Sequence, residues 1–211
     1  WNSTFTVRAE AEHAKRIWVL HDSDEIAASD GDHLSASVRC SDLGPGPIRL
    51  RVVADIPDQP RIESALQLTI TPPPPIKPLP QNDLTRTEPG FLLGKDGSAL
   101  SVLNKLDAKS LQSAGIAKGD PFILKGLIRV DSTDLHQFQI KGAKNITTTV
   151  SGTPIDSPDV GAWCLIPMHL DAGLHEFQIT GTCTTGTLEV RFGGPGSRPI
   201  DGDRVQHRSA D

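Results

Sequence analysis

Apolar and polar residues alternate in short runs from the start of the chain. The first are Phe5-Val7-Ala9, residues 17–20, residues 34–40, Ile48-Leu50-Val52 and Leu66-Leu68-Ile70. A period of two sends successive side chains to opposite faces of a strand, so each run predicts a strand with one dry and one wet face. Ser29-Asp30-Gly31-Asp32 and Gly44-Pro45-Gly46-Pro47 separate them as turns. Strands of this length and spacing predict a small β-sandwich over residues 1–71. The alternation places Cys40 on a buried strand face, Arg49 and Arg51 on a wet one, and Trp18 in the core.

The pattern then breaks at Pro72-Pro73-Pro74-Pro75-Ile76-Lys77-Pro78-Leu79-Pro80. Proline lacks the ladder donor and favours polyproline II, so residues 72–83 are expected to act as a semi-rigid linker. From residue 84 the signal is irregular; Leu103, Leu106 and Leu111, with Gly115 as a stop, allow one short helix. Strands are predicted again at 122–130, 135–140, 146–150, 163–170, 174–179 and 188–192. The fold expected is therefore all-β, a sandwich followed by a second sandwich or barrel over residues 84–211 with at most a short helix.

Composition narrows the function. The 211 residues carry 19 glycines and 17 prolines, 36% hydrophobic and 22% charged residues, which suits turn-rich β-structure rather than a bundle or a disordered chain. The net charge of −5 and the lack of a basic stripe argue against a nucleic-acid partner. No run of about 18 apolar residues predicts membrane insertion. The chain starts at Trp1 without Met, and reads as part of a longer parent chain with further domains.

Candidate chemistry is sparse. There is no G-x-S-x-G elbow, P-loop or H-E-x-x-H helix, so the chain is read as non-enzymatic and without cofactors. Asp131, Asp134 and His136 cluster near a strand turn and could meet a polar ligand, although aspartates in an Asp-Ser-Thr-Asp turn commonly bond to nearby backbone. Trp163 joins them as a candidate ligand-binding residue, because aromatic rings stack on sugar faces. Asp22, Asp24, Glu25, Asp30 and Asp32 form the densest acidic stretch, read as a solvated loop or a calcium loop. His169 and His175 bracket a predicted hairpin turn at Asp171-Ala172-Gly173. That hairpin would bring Cys164 and Cys183 nearly opposite each other, as a cross-strand disulfide or as two buried thiols. No metal site is expected.

Several segments of the second half have a familiar order: residues 124–130 as an entry strand, His136-Gln137-Phe138-Gln139-Ile140, Val150-Ser151-Gly152-Thr153-Pro154-Ile155, His169-Leu170-Asp171-Ala172-Gly173-Leu174-His175, and Leu188-Glu189-Val190-Arg191-Phe192-Gly193-Gly194-Pro195-Gly196. Together they resemble the protective-antigen-type β-barrel domain, also called PA-fourteen, over residues 120–200 and more loosely over 84–120. Sugar-binding members of that family carry adjacent aspartates that hold calcium, and this chain has no Asp-Asp pair, so calcium-dependent binding of that type is not implied. In the first half, Leu43-Gly44-Pro45-Gly46-Pro47-Ile48-Arg49-Leu50, followed by a strand and then Leu66-Gln67-Leu68-Thr69-Ile70-Thr71-Pro72-Pro73, resembles the end of the immunoglobulin-like or cadherin-like modules that accompany such barrels.

These resemblances imply a non-catalytic accessory region of a secreted, cell-surface or periplasmic protein, with a polysaccharide or cell-surface glycan as partner. The alternative is a structural spacer or adhesion stalk. A hydrolase whose site is assembled from distant residues ranks last.

Overall fold

A computed structural model describes residues 3–80, 86–157, 159–160, 162–194, 198–202 and 204–208. The chain divides into two compact units, Trp1–Pro73 and Pro74–Asp211. Both are built of strands, and among the described residues no sheet closes into a barrel.

The first unit runs β1 (Thr4–Glu10), β2 (Arg16–His21), β3 (Asp24–Asp30), β4 (His33–Arg39), the single-turn α1 (Cys40–Leu43), β5 (Gly46–Asp55) and β6 (Ile62–Ile70). β1 pairs with β4 in a two-stranded sheet, and the other four form a sheet in the order β3-β2-β5-β6. The core is made by the alternating apolar positions, with Val7, Leu34 and Val38 meeting Ile17, Val19 and Leu50.

Three expectations change here. The acidic stretch is loop only in part: Asp22 and Asp32 lie in the turns on either side, but Asp24, Glu25 and Asp30 lie on β3, paired with β2, where Glu25 accepts a hydrogen bond from Arg16 at 2.8 Å. Ile26 and Ala27 supply that strand's apolar contacts to the core. Cys40 ends the alternation rather than continuing it, because the chain turns into α1 there and leaves the thiol half-buried. Trp18 faces away from the core, since its neighbours Ile17 and Val19 point in, and Arg16 and Arg61 lie 5.7 and 5.3 Å from its ring centroid.

The second unit contains β7 (Thr87–Pro89), β8 (Phe91–Gly94), β9 (Ser101–Leu103), α2 (Ala108–Ser113), β10 (Pro121–Val130), β11 (Asp134–Lys141), β12 (Ala143–Val150), β13 (Thr153–Ile155), β14 (Asp159–Val160), β15 (Trp163–Leu170), β16 (Gly173–Cys183), β17 (Glu189–Gly193), β18 (Arg198–Pro199) and β19 (Val205–Arg208). A five-stranded sheet, β14-β15-β11-β17-β18, faces an eight-stranded one with the spine β13-β12-β16-β10-β19-β7, where β8 pairs with β10 and β9 with β8. Phe138 of the first packs on Phe177 of the second, with ring centroids 5.1 Å apart, and on Phe192 at 4.9 Å. Such tilted aromatic contacts, fully dry, make this cluster the centre of the sandwich. The expected short helix is α2, capped by Asp107, whose carboxylate accepts from the Ser110 amide at 2.8 Å.

The predicted hairpin at Asp171-Ala172-Gly173 is instead a corner. β15 and β16 belong to different sheets, so the chain crosses the sandwich there and the two strands do not pair. Gly173 does take the positive φ foreseen for it, 141°. Cys164 accordingly pairs in register with Ile140 and Cys183 with Ala143, on opposite sheets, and no disulfide joins them. The glycine-rich ending bears out as the end of β17 at Gly193, while Pro195 and Gly196 lie outside the described residues.

The proline-rich segment also differs from a spacer. Residues 74–80 belong to the second unit, where Ile76 donates to the His169 oxygen at 2.8 Å and accepts from the Asp171 amide at 3.0 Å. Leu79 donates to the Leu174 oxygen at 2.8 Å. The physical reason lies in the residues between the prolines: Ile76 and Leu79 keep their N–H groups, and polyproline geometry is extended enough to lie along a strand.

Candidate functional site

The strands carry the sequence-selected residues to two ends of the second unit. Asp134 opens β11 and Lys141 closes it, seven residues apart, or about 23 Å at the rise of a strand. Asp131, Asp134 and His136 therefore stand at one end. Trp163, at the start of β15 beside Lys141, stands at the other.

At the first end the loop before β11 meets the corner before β16. Asp134 turns its carboxylate onto its own chain, accepting from the Leu135 amide at 2.7 Å, and Asp131 is exposed. His136 faces inward with Phe138 and Ile140. Its ring stacks on Phe192 at 5.5 Å, and neither ring nitrogen has a hydrogen-bond partner among the described residues. The corner residues, whose sequence predicts a hairpin turn, hold the organised polar contacts. Asp171 accepts from Lys77 at 2.6 Å and from the Thr133 hydroxyl at 3.0 Å. Lys77 first, with help from Thr133, holds the Asp171 carboxyl below the usual carboxylate range. His175 is fully buried, and its Nε2 lies 2.8 Å from the Asp171 oxygen while Nδ1 lies 3.1 Å from Ser151 Oγ. A carbonyl only accepts, so Nε2 carries the proton and Nδ1 accepts from Ser151. His169 and His175 do not face one another: His175 points into the sandwich, and His169 lies on the opposite, outward parity of β15.

This end is tied together by internal bonds, and no group of three or more His, Cys, Asp or Glu capable of holding a metal occurs among the described residues.

The other end is more open. Trp163 is half-buried on the outer face of the five-stranded sheet, because the next residue, Cys164, points into the core. Arg191 lies over its ring at 5.1 Å and Lys141 at 5.7 Å, both within the range of a cation–π contact. Glu189 fixes that arginine, accepting from Nε at 2.7 Å and lying 2.6 Å from Nη2. Beside this row opens a cavity of about 660 Å³, whose walls include Asp107, Lys141, Thr184, Thr185, Thr187 and Glu189. The turn at Gly142 forms its floor, with the Gly142 oxygen accepting from the Thr184 amide at 2.8 Å. Apart from Trp163, none of these residues stood out in the sequence. The signal available was the threonine-rich Thr182-Cys183-Thr184-Thr185-Gly186-Thr187 stretch after β16 begins to end, which reads locally as an ordinary turn.

Two carboxylates line this cavity, and each is held by a neighbouring group. Asp107 is occupied as a helix cap, and its bonds from the backbone and hydroxyl of Ser110 hold its carboxyl below the usual range. Glu189 is engaged by Arg191. The arrangement offers hydroxyls, two cations and one aromatic ring to a polar ligand.

No family model matches the chain, and no curated protein matches it. Among solved structures, an anti-sigma factor domain-containing protein is similar at 10% identity, covering 97% of this chain and 83% of that one with a TM-score of 0.44. The PA14 domain of the antifreeze protein MpAFP is similar at 10% identity, over 58% of this chain and 92% of that one, with a TM-score of 0.42. The A domain of Epithelial Adhesin 6 from Candida glabrata, solved in complex with Galβ1-3GlcNAc, is similar at 12% identity, over 60% and 90% of the two chains, with a TM-score of 0.40. At scores below 0.5 these are loose likenesses. No helix among the described residues is long and apolar enough to cross a membrane.

Proposed function

We propose that this chain is a non-catalytic accessory region of a secreted or cell-surface protein, and that its second unit recognises a carbohydrate at the Trp163 end. The observation that carries the reading is the juxtaposition of an aromatic ring, two cations and a hydroxyl-rich cavity at one end of a rigid sandwich. Sugars present both polar edges and weakly apolar C–H faces, so they are held by hydrogen bonds together with an aromatic platform. Thr185, Thr187 and Lys141 supply the former and Trp163 the latter. The commitment of Asp107 and Glu189 to structural partners supports binding rather than hydrolysis, which needs one carboxyl kept protonated as a general acid.

A glycan array probed with the full chain, followed by titration of the strongest hit, tests the proposal. Trp163→Ala and Lys141→Ala are each expected to weaken binding by about tenfold, or about 1.4 kcal/mol. A flat array, or a hit that both variants bind equally well, overturns it and leaves the spacer or stalk reading.

A further inference from the structure

The first unit carries a second feature, independent of the carbohydrate reading. Its four-stranded sheet is wider than the two-stranded sheet that covers it. On β6, Ile62, Ser64 and Leu66 pair with Ala54, Val52 and Leu50 of β5 and so share the inward face of that sheet. Leu50 is fully dry, yet Ile62 is 51% and Leu66 43% exposed. The inner surface of β6 thus faces a groove of about 490 Å³ rather than a partner sheet.

The wall of that groove is the edge of β1. Every residue from Thr6 to Ala11 lines it, odd and even alike, which is how a strand looks when its backbone edge borders the space. The phase of the ladder is fixed at both ends: the Ala11 amide donates to Asp32 at 2.9 Å, and the Cys40 amide donates to Ser3 at 2.9 Å. In antiparallel pairing, bonded residues alternate. The odd positions therefore bond to β4, and Thr6, Arg8 and Glu10 turn both N–H and C=O toward the groove. No described residue pairs with β1 on that side. Such an edge is a template for one more strand.

We infer that the groove takes an extended segment of another protein as a third strand beside β1. Its chemistry follows from the walls. Alternate residues pointing down must be apolar, to cover Val52, Ala54, Ile62 and Leu66. Those pointing up stand opposite Thr6, Arg8 and Glu10, so an antiparallel partner carries an acidic residue across from Arg8 and a basic one across from Glu10. Arg8 has no ion-pair partner among the described residues, and Glu10 has only His33 at 3.6 Å. A second copy of this chain fits less well, because its own β6 would overlap the β5–β6 half of the sheet when β1 pairs with β1.

The test uses the full chain and a fluorescein-labelled peptide, Val-Lys-Val-Glu-Val-Thr-Val, with its Lys and Glu placed opposite Glu10 and Arg8. Saturable binding by anisotropy is expected, weakened about tenfold when Lys and Glu are exchanged in the peptide. Arg8→Pro removes an N–H that faces the groove while leaving the bonds to β4, and Leu66→Lys changes the floor at an already exposed site. Both variants keep the thermal midpoint within a few degrees and weaken the peptide at least about tenfold. A flat titration to about 1 mM, or equal binding by both variants, overturns the inference. So does sedimentation of the protein alone as a dimer that Arg8→Pro dissolves, which assigns the edge to a second copy.

Discussion

His175 Nε2 donates to the main-chain oxygen of Asp171 at 2.8 Å, four residues back around the corner between the two sheets of the second unit. With Ser151 donating to Nδ1, the neutral ring satisfies both neighbours, and a second proton would remove the acceptor that Ser151 uses. Burial, the largest cause, pushes the His175 pKa down, against a smaller upward pull from the Asp171 oxygen. A histidine whose folded pKa is depressed binds its proton more readily when unfolded. Its share of stability is complete above the ordinary value of about 6.5 and is lost as pH falls below it toward the folded pKa. Urea midpoints should therefore decline as pH drops through about 6.5, and His175→Gln should flatten that decline. Unchanged pH dependence in the variant would contradict the assignment.

The same corner carries Gly173, whose φ of 141° is strained for any residue with a side chain. A Cβ there would also lie 2.5 Å from Cβ of Pro78. Gly173→Ala should cost about 1–3 kcal/mol and loosen the proline-rich segment from β15 and β16. Hydrogen exchange at the Ile76 and Leu79 amides measures the second effect directly. Exchange at wild-type rates would mean that the segment is held without this contact.

Across the sandwich, Cys164 and Cys183 are 4% and 0% exposed and lie on opposite sheets. Buried thiols without a bridge react only when the protein opens. The folded chain should release no colour from a bulky thiol reagent at these two positions, and a reducing agent should leave the melting temperature unchanged. Slow labelling at the global unfolding rate is the expected outcome. A shift of melting temperature on reduction would reveal a disulfide.

Much of this fold was legible because it is written in a period of two. Val7, Ile17, Leu34, Leu50, Phe138 and Ile166 all sit where alternation puts them, since one face of each strand must leave water. β3 escaped because its apolar content is Ile26 and two alanines, Ala27 and Ala28, between acids that belong equally well to a loop. β19 escaped because Val205-Gln206-His207-Arg208 has one strong apolar position, and its strand state depends on pairing with β10 and β7, far away in sequence. The corner at Gly173 shows a further limit. Two alternating strands around a glycine fit a hairpin and a sheet crossing alike, and only the competition between β12 and β15 for the edge of β16 decides. The site followed the same rule: Trp163 was visible as a rare residue type, whereas Lys141, Thr185 and Glu189 acquire meaning only from being brought beside it.

The turn between β11 and β12 allows a controlled comparison of strain with crowding. Gly142 and Gly152 both have positive φ, 86° and 78°, so alanine is strained at each by a similar amount, about 1 kcal/mol. Their surroundings differ. A Cβ on Gly152 meets nothing within 4 Å, whereas one on Gly142 runs into the main-chain oxygen of Thr187 in the wall of the Trp163-side cavity. A backbone oxygen cannot swing aside as a side-chain tip can, so the β16–β17 loop must move. Gly142→Ala should lower stability by clearly more than Gly152→Ala in parallel urea melts. It should also weaken any ligand that depends on Thr185 and Thr187, while Gly152→Ala leaves that ligand's affinity unchanged. Equal stability losses at the two glycines would show that the loop after β16 yields easily, and that the cavity is less rigid than its bonds imply.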